Sequence, residues 1–253
     1  MHVFDNPLSM AHNSKKIRPT KTYSRAHDAP VHVCKVDPLS ILLASGSADG
    51  IVKVWDIQRG YVTHTFKGHG GVVSSLLFRC VHDKSSAVNI EPTMHLISGS
   101  VDTRIRIFDL SPSSARTGFS KPISVLEGHV SVPRGLAISQ DGRWLLSGGR
   151  DSVVLLWDVT GESASSDVKR KSNGKPALTP SLVRTLPILE RVEAIGLVAD
   201  DADRLHFFTA GEKGIVKLWN AHEGTALSTL SVDTEGTYEL EEQREIVEAM
   251  YVI

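Results

Sequence analysis

The chain has 253 residues, and its charges nearly cancel: 28 lysines and arginines face 29 aspartates and glutamates, for a formal net charge of −1. This length can bury a sizeable core, and the charge balance excludes both a polybasic tail protein and a chain kept unfolded by its own charge. Two cysteines without a Cys-x-x-Cys pair, together with the lack of an apolar signal or membrane-length segment, favour a reducing compartment and predict no metal, cofactor or membrane span.

The first predicted elements are two strands within residues 1–24. Val3-Phe4-Asp5 has the pattern of a strand that ends in an aromatic residue and an aspartate, and Thr22-Tyr23-Ser24 that of the strand after it. The segment 6–18 between them is basic at its end, since it contains Lys15, Lys16 and Arg18. We interpret residues 1–24 as the last two strands of a sheet.

Residues 25–66 introduce a pattern that recurs along the chain. Apolar residues alternate with polar ones over Ile51–Trp55, and a period of two predicts a strand with one buried face. A turn that contains Asp49 precedes this strand, Ser45 lies before the turn, and an Ala26-His27 pair lies further upstream.

The same pattern returns in residues 67–126 and 127–186. Gly-His pairs end at His69 and His129, and the strand segments read GSVDTRIRIFD and GGRDSVVLLWD. Each unit thus repeats a histidine, a serine, a turn aspartate and an aromatic residue: His27, Ser45, Asp49, Trp55; His69, Ser98, Asp102, Phe108; His129, Ser147, Asp151, Trp157. Phe108 cannot donate the hydrogen bond that a tryptophan would.

The fourth unit, residues 187–230, keeps only the strand pattern AGEKGIVKLWN. Counting back from Trp219 places Lys213 at the turn aspartate and Arg191 at the histidine. We therefore expect it to be the least regular unit. Residues 231–253 follow, with an acidic loop over 231–245 and a strand pattern over 246–253.

Gly-His, a turn aspartate and a terminal Trp-Asp at these spacings resemble WD40 repeats, each of which forms one four-stranded propeller blade. The resemblance implies an all-β fold, a WD40 β-propeller in which the histidine, serine, aspartate and tryptophan form a buried hydrogen-bonded network. The alternative is a Ser-His-Asp catalytic site. Repetition argues against it, because an enzyme needs one such triad and not one per blade.

The strand count predicts an incomplete ring of four whole blades, 25–66, 67–126, 127–186 and 187–230, flanked by parts of two more in 1–24 and 231–253. Since a propeller needs closure to hide its edges, we expect the chain to be a piece of a longer protein. Expressed alone, it should expose unpaired edges and aggregate.

Long loops are predicted to emerge at one edge of the blades, because 6–18, 111–121 and 161–181 each join a third to a fourth strand and 80–94 joins a first to a second. Three of them carry the candidate RNA or partner contacts: Lys15, Lys16, Arg18, Arg116, Lys121, Lys169, Arg170, Lys171 and Lys175. Such cations can bind phosphates or acidic segments, and 169–171 is also compatible with a nuclear-import signal. The alternative is a set of solvated loops.

Residues 25–73, the segment LEGHVSVPRGLAISQDGRWLLSGGRDSVVLLWD and the weak repeat RTLPILERVEAIGL resemble the transducin beta-like protein 3 / U-three snoRNA-associated WD-repeat family. The resemblance implies a non-catalytic scaffold of the small-subunit processome in the nucleolus. Its implied partners are other WD-repeat processome proteins, the snoRNP and pre-rRNA, with no small-molecule substrate.

A generic WD40 adaptor, such as a ubiquitin-ligase substrate receptor, is the alternative. It would need a cluster of arginines around the channel, and the sequence offers Arg134 and Arg150 for that role.

Overall fold

A computed structural model describes residues 25–81, 93–111, 121–160, 178–201 and 204–230. Over these ranges the chain forms sixteen strands and no helix, and so contains no helix that could cross a membrane. The strands form four antiparallel four-stranded sheets, and in each sheet the strands lie side by side in chain order. The prediction of an all-β, incomplete WD40 propeller is confirmed.

Each sheet forms one blade and has a contiguous set of strands. Blade 1 contains β1 (Val31–Val36), β2 (Leu42–Ser47), β3 (Val52–Asp56) and β4 (Val62–Phe66). Blade 2 contains β5 (Val73–Val81), β6 (Thr93–Ser100), β7 (Ile105–Asp109) and β8 (Ser124–Leu126). Blade 3 contains β9 (Pro133–Ile138), β10 (Trp144–Gly149), β11 (Val153–Asp158) and β12 (Ser181–Pro187). Blade 4 contains β13 (Val192–Asp201), β14 (Arg204–Gly211), β15 (Val216–Asn220) and β16 (Thr225–Leu230).

The blades are arranged around their first strands. β5 contacts both β1 and β9, and β9 also contacts β13, so the first strands of successive blades lie next to one another. The fourth strands lie on the outside, as the exposed positions of β12 and β16 show. The flanking segments 1–24 and 231–253 lie outside the described residues.

The core lies between successive blades and not within any one of them. Three apolar clusters fill the three junctions: one between blades 1 and 2, one between blades 2 and 3, and one between blades 3 and 4. In β11, Val154 and Leu156 pack toward blade 4, while Leu155 and Trp157 pack toward blade 2. The single buried face that the alternation over Ile51–Trp55 predicts does not extend to the third strands of blades 2 and 3, because each is stacked between two sheets.

Glycine at the second strand sets how closely the blades approach. A Cβ at Gly46 would lie 2.5 Å from Val73 Cγ1, and one at Gly148 would lie 2.6 Å from Val192 Cγ1. Such distances leave no room for a side chain. The recurring small residues thus let the first strand of the next blade pack directly against the second strand.

Chain reversal separates two edges of the blades. The upper edge carries the loops that lead into first strands and the turns between second and third strands; the lower edge carries the other connections. The described strands on either side of 82–92, 112–120 and 161–177 end or begin at the lower edge. These three segments, which make up most of three predicted long loops, lie outside the described residues.

Candidate functional site

The recurring polar residues meet in a continuous chain in blade 3. Trp157 Nε1 donates to Ser147 Oγ at 2.9 Å, Ser147 Oγ lies 2.8 Å from His129 Nε2, and His129 Nδ1 lies 2.8 Å from Asp151 Oδ2. An indole N–H can only donate, so Ser147 Oγ accepts that hydrogen bond and its own O–H donates to His129 Nε2. The Nδ1–H of His129 then donates to Asp151. Val130 N donates to the same carboxylate oxygen at 2.9 Å.

Blade 1 has the same residues but a looser chain. Trp55 Nε1 and His27 Nε2 lie 2.9 and 2.8 Å from Ser45 Oγ. Asp49 Oδ2, however, is 3.9 Å from His27 Nδ1, which is buried without a hydrogen-bond partner. Burial lowers the pKa of His27, so the imidazole is held neutral. The structure thus joins three of the four residues by hydrogen bonds.

Blade 2 has Phe108 in place of the tryptophan donor, and Arg106 donates to the histidine and the aspartate of the network instead of to the serine. His69 Nε2 lies 2.7 Å from Ser98 Oγ, as in the other blades, but Arg106 Nη1 lies 2.5 Å from His69 Nδ1 and 2.7 Å from Asp102 Oδ2. A guanidinium only donates, so Nδ1 accepts and the imidazole proton is on Nε2. His69 is therefore the opposite tautomer from His129. Phe108 stacks on Phe66 with ring centroids 4.3 Å apart.

The electrostatics of blade 2 follow from this arrangement. Burial, and then the charge of Arg106, lower the pKa of His69 to about 4. Burial alone would raise the pKa of Asp102, but the backbone hydrogen bond from Gly70 and the neighbouring His69 and Arg106 outweigh it and lower that pKa. At neutral pH the site is a neutral imidazole beside an Arg–Asp ion pair.

Blade 4 keeps only one bond of the network. Trp219 Nε1 donates to Thr209 Oγ1 at 3.0 Å. A Cβ at Gly211 would lie 2.2 Å from Glu190 Cδ, just as one at the equivalent Gly149 would meet the imidazole of His129. Glu190 thus occupies the place of the histidine, and both its carboxylate oxygens are buried without a hydrogen-bond partner.

The structure therefore corrects the expectation for Arg191. Its side chain is exposed and pairs with Glu212 at 3.3 Å, while Lys213 is exposed at the turn. Glu190 lies only two residues before Val192, which pairs with Gly211, whereas His129 lies four before Pro133, which pairs with Gly149. Counting from the tryptophan misses Glu190 by one residue, because the β13–β14 hairpin is three residues longer than its counterpart in blade 3 while the loop into β13 is two residues shorter.

The arrangement can fasten strands together, but it offers no accessible nucleophile. The Ser147 hydroxyl is fully buried and already accepts a hydrogen bond from the Trp157 indole. The His129 imidazole beside it is buried as well. Ser98 is equally buried. Among the described residues, no group of three or more histidine, cysteine or acidic side chains could hold a metal ion. Arg106, Thr209 and Glu190 are the network members that the sequence pattern did not reveal.

The candidate contact cations are mostly beyond what the structure describes. Lys121 is exposed at the lower edge, just before β8. The remaining candidates lie outside the described residues: Lys15, Lys16, Arg18, Arg116, Lys169, Arg170, Lys171 and Lys175.

Arg134 and Arg150, the two arginines considered for a channel cluster, converge on one carboxylate. Their Nε atoms donate to opposite oxygens of Glu193 at 2.9 and 2.8 Å. Burial alone would raise the pKa of Glu193, but these hydrogen bonds and charges lower it. The pair is thus partly neutralised within the upper edge.

Comparison with known proteins matches the family model "WD domain, G-beta repeat" to residues 17–56, 60–109 and 120–158. The fourth blade, which lacks the histidine and the turn aspartate, falls outside the matched ranges. Transducin beta-like protein 3 of Rattus norvegicus is 34% identical over 83% of this chain and 23% of its own length. U3 small nucleolar RNA-associated protein 13 of Saccharomyces cerevisiae is 33% identical over 79% of this chain and 22% of its own length.

Nuclear distribution protein PAC1 of Arthroderma otae matches 88% of the chain at a lower identity, 28%, and 58% of its own length. Nuclear distribution protein nudF of Emericella nidulans is 38% identical, but over only 56% of this chain and 39% of its own length. The chain spans less than a quarter of the length of the two relatives that it matches over about four fifths of its residues.

Proposed function

The chain belongs to the WD40-repeat family, and from this premise we propose that it is a non-catalytic scaffold of ribosome biogenesis. In this proposal it works in the nucleolus as a component of the small-subunit processome that is needed for pre-18S rRNA processing. Its partners there are other WD-repeat proteins, the snoRNP and pre-rRNA.

One observation carries the proposal. Similarity to transducin beta-like protein 3 and to a protein named for its association with U3 small nucleolar RNA covers 83% and 79% of the chain at 34% and 33% identity. Relatives of the nuclear distribution protein PAC1 cover 84% and 88% of the chain, but at 26% and 28% identity. This higher identity supports the specific function in the proposal, since a propeller fold by itself supports many unrelated functions.

The geometry supports a scaffold. The inter-blade clusters and the buried networks fix each sheet against the next, so the described turns between the strands are held in constant positions. Rigid presentation of loops is what a binding surface requires. The buried serines and histidines serve this rigidity and perform no chemistry in the proposal.

The test is co-purification from cells. The full-length protein, tagged at its natural locus, should enrich U3 snoRNA and pre-18S rRNA precursors over an unrelated WD40 protein tagged in the same way, and its depletion should cause uncleaved precursors to accumulate. No enrichment of U3 snoRNA, together with normal 18S rRNA production after depletion, would overturn the proposal.

A further inference from the structure

The turn between β1 and β2 in blade 1 has the same backbone as its counterpart between β9 and β10 in blade 3. Asp37 N donates to the Leu42 carbonyl and Ser40 N to the Asp37 carbonyl, both at 3.0 Å. Ser139 N and Gly142 N make the corresponding bonds in blade 3 at 2.9 and 2.8 Å. Ser40 and Gly142 also share a positive φ, of 57° and 74°. The two turns can therefore be compared position by position.

This comparison places two aliphatic residues of blade 1 where blade 3 has charged ones. Leu39 corresponds to Asp141 and Ile41 to Arg143, and the two aliphatic residues are 48% and 50% exposed. The turn itself is held by Asp37, a buried residue whose carboxylate accepts hydrogen bonds from Leu39 N and Ile41 N at 3.0 and 2.7 Å. Since the same backbone accepts charged residues at these positions, the aliphatic ones are not needed to form the turn.

The corresponding positions in blade 3 stay accessible although blades lie on both sides of it. Asp141 is exposed and the Arg143 side chain is 31% exposed, with blades 2 and 4 packed against blade 3. Ile138, just before the turn, does pack toward blade 2, so Val36 at the same position of blade 1 belongs to an inter-blade junction. A blade beside blade 1 would therefore cover Val36 and leave the two aliphatic side chains of the turn accessible.

The neighbouring turn between β3 and β4 exposes an aromatic side chain in the same way. Gly60 and its counterpart in blade 4, Gly224, have positive φ of 76° and 77°, and each donates its N–H to the carbonyl four residues earlier at 2.8 Å. Tyr61 follows the first glycine and is 48% exposed, whereas Thr225 follows the second. An aromatic residue thus occupies a position that blade 4 gives to a small polar one.

The two turns form one surface at the lower edge of blade 1. Ile57 N in the second turn donates to the Ile41 carbonyl in the first at 2.9 Å, which brings the exposed side chains of both turns to one corner. We call Leu39, Ile41, Arg59 and Tyr61 the lower patch. Single exposed apolar side chains are normal, but three in adjoining turns, at positions that the matching blades give to polar residues, indicate a contact surface.

The charges of the lower patch limit its ligand. The Arg59 side chain is 72% exposed and donates from Nη1 to the Tyr61 hydroxyl at 3.4 Å. The two aspartates of these turns are turned to the backbone, since Asp37 is buried and the Asp56 side chain is 14% exposed with Oδ1 bonded to Arg59 N. The outward charge is therefore positive and suits a carboxylate, which a guanidinium binds well. The apolar side chains add nothing to phosphate binding, whereas tyrosine and arginine are enriched in protein–protein contacts.

We propose that the lower patch docks a segment of a partner protein in which aliphatic residues adjoin aspartate or glutamate. The aliphatic residues pack on Leu39, Ile41 and Tyr61, and Arg59 binds the carboxylate. This assignment deepens the proposed scaffold function, on which it rests, by giving one partner a chemistry and a place on blade 1.

Site-specific photocrosslinking in cells tests the proposal. Benzoylphenylalanine is placed at Tyr61 or at Leu39 of the full-length protein, and at Thr225, the exposed counterpart of Tyr61 in blade 4, as the matched control. After irradiation, adducts are sequenced by mass spectrometry. We expect adducts at the first two positions with a partner segment in which acidic and aliphatic residues adjoin, and none above background at Thr225.

Residues borrowed from the matching turns supply the second arm. Leu39→Asp with Ile41→Arg gives the first turn the residues of blade 3, and Arg59→Glu gives the second turn the glutamate that precedes Gly224 in blade 4. Because the same backbone accepts these residues elsewhere in the chain, both variants should keep the melting temperature of the parent. Each should reduce the adducts formed from Tyr61 at least tenfold.

Several outcomes would overturn the proposal: nucleic-acid adducts, adducts with another segment of the same chain, adducts with segments that lack acidic residues, adducts unaffected by both variants, or no adducts. U3 snoRNA is measured in the same purification. Its presence without adducts sinks the lower patch alone, and its absence together with adducts sinks the proposed function alone.

Discussion

At the scale of single residues, the histidine of the His–Ser pair occurs in two different tautomers. In blade 3 the imidazole proton of His129 is on Nδ1, which donates a hydrogen bond to Asp151. In blade 2 the hydrogen bond from Arg106 to Nδ1 places the imidazole proton of His69 on Nε2. Both arrangements give partners to the two imidazole nitrogens and to the serine hydroxyl, while Asp151 Oδ1 stays buried without one. A buried polar atom that loses its partner costs about 1–3 kcal/mol. The network is therefore a set of buried hydrogen bonds whose donors can be exchanged.

Replacing His129 tests the network in blade 3. His129→Ala leaves the Asp151 carboxylate and the Ser147 hydroxyl without their partner, so we expect the free energy of unfolding to fall by about 1–3 kcal/mol, as measured by urea denaturation. His32→Ala removes an exposed imidazole and should leave stability unchanged. Equal effects of the two substitutions would contradict a structural role for the buried histidine.

The lowered pKa of His69 predicts an acid-sensitive stability. Its folded-state pKa is about 4 against an ordinary 6.5. As the pH falls, His69 is therefore protonated in the unfolded chain before it is protonated in the folded protein. Stability is then fully present above pH 6.5 and is lost as the pH falls toward 4, by up to about 3 kcal/mol at the usual 1.36 kcal/mol per pKa unit. Arg106→Met removes the neighbouring positive charge, which should raise the pKa of His69 and reduce this loss.

The measurement is an NMR titration of the His69 ring in the parent and in the Arg106→Met variant. A pKa that is the same in both proteins would show that the charge of Arg106 does not lower the pKa of His69.

At the scale of elements, the sequence pattern predicted the strands and turns well because a period of two and a Gly-Asp turn are local properties. It failed where a contact depends on the third dimension. Arg106 reads as an ordinary strand cation, and only the fold places it against His69. Glu190 was missed because the longer β13–β14 hairpin outweighs the shorter loop before it, so the count from the tryptophan ended on its neighbour Arg191. Nor could the burial of both faces of β11 be predicted before the stacking of blades was known.

Removing the buried carboxylate of Glu190 should stabilise blade 4. Glu190 has no hydrogen-bond partner for either oxygen, so Glu190→Met, which keeps the volume and removes the polar burial, should raise the free energy of unfolding by about 1–3 kcal/mol. Glu212→Met, at an exposed position, is the control and should change little. A loss of stability in the first variant would mean that the carboxylate is satisfied by a group not yet identified.

At the scale of the whole molecule, the two edges of the propeller have different characters. The upper edge combines projecting aliphatic groups with a nearly neutralised ion cluster. We expect the segments in which the sequence concentrates lysine and arginine to emerge at the lower edge. Since the inter-blade cores hold the two edges rigidly, different partners can occupy them at the same time.

The lower loops are expected to contact RNA phosphates. Neutralising Lys15, Lys16, Arg18, Lys169, Arg170 and Lys171 to glutamine in the full-length protein should weaken pre-rRNA crosslinking and flatten its salt dependence, because each phosphate contact releases a counterion. Lys35→Gln with Lys213→Gln, at exposed positions elsewhere, is the control. Crosslinking that is unchanged by the six substitutions would leave these loops as solvated connections.

The central claim is that the buried His–Ser–Asp–Trp sets hold a scaffold together and carry out no reaction. Ser147→Ala in the full-length protein tests it most directly, because it removes the hydroxyl that lies within hydrogen-bond distance of His129 in blade 3. The account predicts a lower melting temperature but undiminished pre-18S rRNA processing per folded molecule at a permissive temperature. Loss of processing with unchanged stability and unchanged U3 snoRNA association would contradict it.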